Sequence, residues 1–594
     1  MRIFLITFLI NFCFQSKSQN TITYQLDLSH IQHHELGIKV LFTALDKDTL
    51  EIHMPNTSPG RYAIHNFAKN VYNESATDPA SGEKITLIRS TPFIWKVPLK
   101  GKSLIFEYTL YGNHADGTYT GIDASKLHLN MPATFIYGKG LADRKINLII
   151  NTDNPDWSVA TQLNCENDST FSAPNYYYFY DSPILVGEIS WRKWQVDDQT
   201  IEVAMIHDGN DQELDSYVSW IKRIVNQEMA VFGELPDFDF GRYTFLCVYN
   251  PWAVGDAMEH RNSTVCSSEG NLAHHAPYLI GSISHEFFHS WNIERIRPKS
   301  LEPFNFDAPN LSGELWFGEG FTNYYDELSL CRAGIITQEK FLNTAQIVLN
   351  NVMNAPGRAI RTPIEMSHNA IFVDAGTAND ETNYQNNFIS YYTYGEMLGL
   401  ALDLSIRSKF PKLTLDDYMK LVWIKYGKTE QPYTLLDLRV TLAEITKDRK
   451  FTDAFFDQYI HQSNLPNFEI LYKNVGITMS ISSPGKIYTG KVQLNKEGVI
   501  TSALIKGTAL YEAGLNKGDR ILSLNGIELN SIRDFELAIN DMKPDQSYAI
   551  TYEQIGKLKS SKFLAKQDPD IKLAFDEKAS KTIMKNRGDW LEAK

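Results

Sequence analysis

The stretch Ser282–Trp291, SISHEFFHSW, contains the letters HEFFH, which are two histidines four residues apart with a glutamate after the first. In an α-helix, residues four apart lie on one face, so His285 and His289 can present two imidazole nitrogens to a single cation. The same short pattern also occurs on amphipathic helices whose histidines only have polar neighbours. The surrounding sequence must therefore distinguish a metal site from an ordinary helix.

The surroundings favour a metal site. The segment 276–295 is predicted to be a helix, because Pro277 suits a first turn and Pro298 lies just beyond the expected end. A catalytic zinc ion usually has three protein ligands and one open position. Glu319, in the helical stretch ELWFGEGFTNYYDEL, is the best third ligand. Glu286 would then be free to act as general base on the metal-bound water.

Other residues that commonly bind metals are less suitable. His274 and His275 are adjacent, so their side chains diverge, and we expect both at the surface. Four cysteines beyond position 13 are spaced too widely for a thiolate zinc cluster, and we expect them to be core residues. The sequence leaves open whether Cys247 and Cys266 form a disulfide. The four are Cys165, Cys247, Cys266 and Cys331.

Composition excludes some classes of function. The chain has 594 residues, enough for three or four domains, and its 43% hydrophobic and 22% charged residues are ordinary for globular proteins. The formal net charge is −14 and no dense Lys/Arg run occurs. We therefore do not expect nucleic acid as a partner.

The N-terminus is typical of a secretory signal. An apolar run from Ile3 to Phe14 is too short to span a bilayer comfortably, and Ser16 and Ser18 suit a cleavage site. We predict a signal peptide over residues 1–18, no transmembrane segment in the mature chain, and a periplasmic or extracellular location. A buried first strand or lipid attachment at Cys13 are the alternatives.

Patterning along the chain predicts a multidomain α+β protein. Residues 19–192 alternate apolar and polar positions and form a β-rich, sandwich-like domain. Residues 193–395 mix strands with long helices, and residues 396–470 are helical, with TLDD and TLLD as N-terminal caps. Residues 366–388 are polar and predict a long loop. A second β-rich unit spans 475–567, and a charged, peripheral tail spans 568–594.

The longer motifs around these residues resemble those of a known family. HEFFHSWNIERIRP and ELWFGEGFTNYYDEL are similar to motifs of the gluzincin metallopeptidases, and within them of the glycyl aminopeptidase family with a C-terminal PDZ domain. AMEHRNS, YYTYGEMLGLALDLSIR and MPNTSPGRYAIHNFAKNV extend the resemblance over nearly the whole mature chain. It implies a thermolysin-like catalytic domain over residues 193–395.

The resemblance also implies roles for individual residues. One catalytic zinc ion would be held by His285, His289 and Glu319, with Glu286 as general base. Glu259 would hold the free α-amino group of a peptide substrate, because a carboxylate near the metal pairs with an ammonium. A further residue, Tyr392, would donate a hydrogen bond to the oxyanion of the tetrahedral intermediate.

The C-terminal unit is similar to a PDZ domain. Lys506–Gly526, KGTALYEAGLNKGDRILSLNG, has the small-residue turn, short helix and Asn-Gly turn of such domains. PDZ domains bind extended peptides along a sheet edge. The usual carboxylate-binding glycine loop is not evident near YTGKVQL, so a peptide ligand and a packing role both stay open.

The expected function is that of an exported zinc aminopeptidase that attacks the first peptide bond, with glycine or alanine as the first residue. Related sequences usually have glycines where Asp256 and Ala257 stand and a lysine where Tyr394 stands, so Asp256 could narrow the amino-end pocket or add a second acid. Two alternatives remain: a zinc endopeptidase of the same fold, and a non-catalytic protein that binds peptides through the PDZ domain.

Overall fold

The computed structural model describes residues 20–373, 382–529 and 531–594. The predicted signal peptide and part of the predicted loop over 366–388 lie outside these residues. The chain divides into two compact units. The first contains the chain up to Asn56 and His65–Ile189, and the second contains Thr57–Ile64 and Ser190–Lys594.

The first unit consists mainly of β-strands, which confirms the predicted β-rich domain. Ile22, Tyr24 and Leu26 all face the core and are at most 4% exposed, as their alternation predicts. Eight strands form a sheet in the order β14-β15-β12-β1-β2-β8-β4-β5, and two further sheets have the orders β13-β16-β10-β9 and β11-β3-β7-β6.

The strands of this unit are β1 Thr21–Asp27, β2 Glu35–Phe42, β3 Thr49–His53, β4 Val71–Thr77, β5 Lys84–Ile85, β6 Ile88–Thr91, β7 Ile94–Pro98, β8 Leu104–Tyr111, β9 Gly121–Asp123, β10 Lys126–Leu129, β11 Tyr137–Gly138, β12 Lys145–Ile149, β13 Ser158–Thr161, β14 Asn164–Asn167, β15 Thr170–Ala173 and β16 Ile184–Gly187. Its short helices are α1 Met131–Thr134 and α2 Tyr176–Tyr180, with 3₁₀ turns at Ile31–His33 and Phe67–Asn70.

The second unit begins with a five-stranded sheet in the order β17-β18-β19-β21-β20. Its strands are β17 Ser190–Val196, β18 Gln199–His207, β19 Arg242–Tyr249, β20 Asp256–His260 and β21 Ser263–Ser268. The three inner strands are parallel, and the central strand β19 is buried from Tyr243 onwards, as expected for a strand covered on both faces. The edge strand β20 carries Glu259.

Helices surround this sheet, which confirms the mixed α/β and helical segments. They are α3 Asp211–Phe232, α4 Leu272–Phe288, α5 Leu315–Gly318, α6 Gly320–Arg332, α7 Gln338–Met353, α8 Pro363–His368, α9 Ala370–Val373, α10 Tyr384–Asn387, α11 Tyr391–Lys409, α12 Leu415–Val422, α13 Leu435–Thr446, α14 Arg449–Phe455 and α15 Phe468–Lys473. Single turns lie at Asp239–Gly241, Lys299–Leu301, Pro356–Ala359, Trp423–Gly427 and Phe456–Ile460. Capping boxes precede α12 and α13, at the predicted TLDD and TLLD.

Two predicted boundaries were wrong. The HEFFH helix starts at Leu272 because the side chain of Asn271 accepts a hydrogen bond from the His274 amide, and it ends at Phe288. Pro277 therefore lies inside the helix. The predicted loop over 366–388 contains the end of α8 and the short helices α9 and α10, because Thr362 starts α8 with a capping box that polarity alone does not reveal.

Helices α6 and α11 pack unusually closely. A β-carbon on Gly320 would overlap the backbone of Gly395, and one on Gly395 would overlap the carbonyl oxygen of Trp316. Only glycine permits this approach. It brings Glu319, which directly precedes α6, next to the first turn of α11, where Tyr392 lies.

The C-terminal part contains the predicted PDZ-like unit, with its own core around Ile521, Ile550 and Phe563. Four strands form a sheet in the order β24-β23-β25-β26, and β22 pairs with β27. The elements are β22 Ile477–Ile481, α16 Ala509–Glu512, β23 Arg520–Leu524, β24 Ile527–Glu528, α17 Ile532–Asn540, β25 Ser547–Gln554, β26 Lys557–Leu564, β27 Ile571–Phe575 and α18 Lys581–Leu591.

The prediction of a peripheral tail over 568–594 was wrong. This segment supplies β27 and α18, and Trp590 at the end of α18 is fully buried. The indole nitrogen of Trp590 donates a hydrogen bond to the Tyr324 hydroxyl at 2.8 Å. A few apolar anchors therefore hold a segment whose charged surface suggested a tail.

Candidate active site

The structure brings together the three residues predicted to bind zinc. His285 lies in the last turn of α4 and His289 directly follows it, and their Nε2 atoms are 3.0 Å apart. Oε2 of Glu319 lies 3.2 Å from Nε2 of His289 and 3.8 Å from Nε2 of His285. One ligand atom from each residue therefore points to a common position.

Hydrogen bonds on the far side of each imidazole fix its orientation. Nδ1 of His285 lies 2.9 Å from Oδ2 of Asp326, and Nδ1 of His289 lies 2.8 Å from the carbonyl oxygen of Asn292. Because both partners are acceptors, each Nδ1 carries a hydrogen, which leaves Nε2 of each ring as the atom that a cation can bind once it displaces any proton there. Two imidazoles and one carboxylate, with supported rings, fit a catalytic zinc ion.

The charges at the site also favour a cation. Burial alone would raise the pKa of Glu319, but the adjacent histidines hold that pKa well below its usual range. Burial alone would lower the pKa of His289, yet the Glu319 carboxylate raises it to about 9. The buried glutamate thus stabilises positive charge on its neighbours, and a divalent ion can replace the protons.

Glu286 lies beside this set without belonging to it. Its side chain is buried, and its Oε2 atom has no hydrogen-bond partner within the part of the chain that the structure describes. Burial, opposed by His285 and reinforced by Glu259, raises the pKa of Glu286 to about 7. An unpaired carboxylate with a pKa near neutrality is suited to proton transfer.

Glu259 approaches the site from the edge strand β20. It is buried, and one ligand-type atom each from Glu259, Glu286 and His289 lie within 4.8 Å of one another. Burial raises the pKa of Glu259; His289 opposes this shift and Glu319 adds to it. The carboxylate therefore gains from a positively charged partner in the cleft.

Three tyrosines, Tyr391, Tyr392 and Tyr394, lie at the start of α11, and the ring of Tyr392 lies against the candidate ligand His285. Its ring centroid is 6.0 Å from that of His285, and its side chain is half-buried. Tyr391 and Tyr394 are almost completely buried. The position of Tyr392 is compatible with the predicted oxyanion role.

Two neighbours of the ligand set were missed in the sequence. Asp326 lies seven residues after Glu319, which is two helical turns, so helical periodicity could have placed both on one face. Tyr62 donates its hydroxyl hydrogen to Oε1 of Glu319 at 2.9 Å, and 257 residues separate the two. The only sequence signal for Tyr62 was its place in the MPNTSPGRYAIHNFAKNV stretch.

The remaining candidate ligands lie elsewhere. His274 and His275 are exposed, as predicted. Cys247, Cys266 and Cys331 are buried, whereas Cys165 is exposed on a short edge strand, so the prediction of a core position was wrong for Cys165. All four thiols are free. Among the described residues, no helix is long and apolar enough to cross a membrane.

Comparison with known proteins agrees with this site. Residues 23–188 match the peptidase M61 N-terminal domain, residues 278–398 match M61 glycyl aminopeptidase, and residues 476–562 match a PDZ domain. No curated protein matches the chain.

A solved structure shares the fold over nearly the whole chain. A crystal structure of an aminopeptidase N family protein from Idiomarina loihiensis superposes with a TM-score of 0.81 at 21% identity, covering 96% of this chain and 100% of that one. An M1 zinc metallopeptidase from Deinococcus radiodurans is 12% identical with a TM-score of 0.44, covering 76% and 95% of the two chains.

The fold and the domain matches define a zinc-dependent metallopeptidase of the aminopeptidase class. The chain contains a peptidase M61 N-terminal domain, an M61 glycyl aminopeptidase domain and a C-terminal PDZ domain.

Proposed function

We propose that one zinc ion is held by His285, His289 and Glu319, and that this centre removes the first residue from peptides. The observation that carries the proposal is the convergence of the three ligand atoms beside two further buried carboxylates. A bound zinc ion would supply Lewis acidity, which polarises the scissile carbonyl and makes water more acidic.

The chain's own residues would perform the other steps. Glu286 would accept a proton from the attacking water and pass it to the leaving amine, as its raised pKa allows. Glu259 would bind the substrate's α-ammonium, which places the first peptide bond next to Glu286. The Tyr392 hydroxyl would donate a hydrogen bond to the oxyanion.

We propose glycine or alanine as the preferred first residue. The cavity beside Glu259 has a volume of about 20 Å³, close to the room that one water molecule needs. Its walls include Gly60, Tyr62, Leu301 and Phe304. A hydrogen or methyl side chain fits such a space, whereas a branched or aromatic side chain requires its walls to move.

The test compares glycyl, alanyl and leucyl arylamides with their N-acetylated forms, with and without a zinc chelator. We expect chelator-sensitive release from the free-amino glycyl and alanyl substrates and little from the leucyl or acetylated ones. Cleavage of acetylated peptides at internal bonds, without release from free-amino substrates, would instead favour the endopeptidase alternative.

We also propose that the protein is exported, and that the unit over residues 476–562, which matches a PDZ domain, binds peptides along a sheet edge as such domains do. The apolar run from Ile3 to Phe14 supports export. Expression of the full chain in a bacterial host, followed by N-terminal mass spectrometry of the periplasmic fraction, should give a chain that starts near Gln19. An uncleaved chain confined to the cytoplasm would contradict export.

A further inference from the structure

A short segment from the N-terminal part of the sequence belongs to the catalytic unit. The chain leaves the first unit after Asn56, contributes Thr57–Ile64 to the second unit, and returns to the first at His65. Three consecutive residues of this segment, Gly60 to Tyr62, approach the candidate active site. We call residues 57–64 the amino-end segment.

Tyr62 contacts the third candidate zinc ligand directly. Its side chain is 5% exposed, and its hydroxyl donates a hydrogen bond to Oε1 of Glu319. Oε2 of Glu319 is the atom that faces the two histidines. The hydrogen bond therefore occupies one carboxylate oxygen and orients the other toward the metal position.

The backbone at Tyr62 is strained. Its φ angle is +51°, in the left-handed region that a bulky aromatic residue rarely adopts. Such strain persists where the surrounding structure holds the residue in place, and it concentrates at functional sites. The strained backbone and the buried hydrogen bond are independent observations on the same residue.

Arg61 attaches the amino-end segment to the strand that carries Glu259. Its guanidinium forms an ion pair with Asp256 and donates a hydrogen bond to the carbonyl oxygen of Ala257 at 3.1 Å. Asp256 is therefore neutralised by Arg61, and the suggestion that it adds a second acid for the substrate is not supported. Asp256 and Ala257, the two residues that Arg61 contacts, are the first two residues of β20, the strand that carries Glu259.

Gly60 leaves the space that Glu259 needs. A β-carbon on Gly60 would lie 2.8 Å from Oε1 and 2.9 Å from Oε2 of Glu259, and the φ angle of Gly60 is +71°. A larger residue would displace the Glu259 carboxylate together with the Met258 side chain, whose sulfur lies 2.5 Å from the same position. The segment thus contacts the candidate amine-binding residue and the candidate metal ligand within three positions.

The geometry points to Tyr62 as a positioning residue for Glu319, held in place by the ion pair between Arg61 and Asp256. This inference rests on the proposed role of Glu319 as a zinc ligand. Without the Tyr62 hydroxyl, the Glu319 carboxylate can rotate and turn Oε2 away from the two histidines, which would weaken the zinc site.

The test measures zinc dissociation constants by competition with a chromophoric chelator, together with the visible spectrum of the cobalt-substituted protein. Tyr62→Phe should raise the zinc dissociation constant about 10-fold or more, as loss of such supporting partners generally does, and should alter the cobalt spectrum. The melting temperature of the metal-free protein should stay within a few degrees.

Arg61→Met should weaken zinc binding in the same direction, and the charge swap Arg61→Glu with Asp256→Lys should recover part of the loss. Tyr72→Phe is the matched control, because it also removes a hydroxyl that donates to a glutamate, here Glu35 at 2.5 Å in the first unit. Its zinc dissociation constant should equal that of the wild type.

The outcomes separate this inference from the proposed function. If wild type and Glu319→Gln bind zinc equally, or neither binds it, the proposed metal site fails. If Glu319→Gln loses zinc but Tyr62→Phe keeps the wild-type dissociation constant within twofold and the wild-type cobalt spectrum, the metal site stands and the role of Tyr62 is overturned.

Discussion

Replacing Glu259 by glutamine tests how the site recognises a free amino terminus. The side chain is 7% exposed, so little solvent would screen its attraction for a substrate ammonium. Glutamine has nearly the same shape but no charge. Removing one partner of a buried charge pair costs about 3 to 5 kcal/mol, which corresponds to a fall of about 10²-fold or more in kcat/KM.

The assay is steady-state release from glycyl arylamide, with zinc content measured on the same samples. Glu259→Gln should keep its zinc, because Glu259 is outside the proposed ligand set, and it should discriminate less between free-amino and acetylated substrates. Glu269→Gln is the control, since Glu269 is an exposed glutamate just after β21. A fall of less than about fivefold in kcat/KM for Glu259→Gln would refute the assignment.

Three further variants test other features of the site and fold. Asp326→Asn should raise the zinc dissociation constant about 10-fold or more, because Asp326 holds the His285 ring; an unchanged constant would contradict this support. Glu327→Gln tests how the free energy of unfolding depends on pH. Burial, reinforced by the charge of Asp326, raises the pKa of Glu327 from 4.5 to about 7. The folded state therefore favours the protonated acid, and the free energy of unfolding of the wild type falls as pH rises from about 4.5 through about 7. The glutamine variant should therefore be more stable than wild type by about 3 kcal/mol at pH 8 and similar at pH 4 in urea titrations, whereas an equal difference at both pH values would exclude this cause. Gly395→Ala should lower the free energy of unfolding by about 1–3 kcal/mol or more through overlap between α6 and α11, and a melting temperature equal to that of the wild type would show that the helices separate freely.

Local pattern predicted the parts of the site that lie within one or two helical turns. His285 and His289 are four apart, so one helix suffices to bring them together, and Glu319 lies at the start of the next long helix. The start of α4 was missed because an asparagine cap, rather than Pro277, begins that helix. Asp326 could have been predicted from its spacing to Glu319.

Contacts between distant segments could not be predicted from pattern. Tyr62 and Arg61 lie in a stretch that reads as a turn between strands, and nothing local indicates that they contact Glu319 and Asp256. The docked C-terminal helix was missed for a similar reason, since only Trp590 and Leu591 of α18 are buried and its charged residues outnumber these two anchors. In each case tertiary packing, which periodicity does not encode, decides the outcome.

The most direct test of the central claim measures bound zinc and glycyl arylamide turnover together, in the wild type and in Glu286→Gln. The account predicts about one zinc ion per chain in both proteins and turnover at least about 10²-fold lower in the variant, because the metal site remains while the proton acceptor is lost. Undiminished turnover in Glu286→Gln, or full turnover by zinc-free wild type, would contradict it.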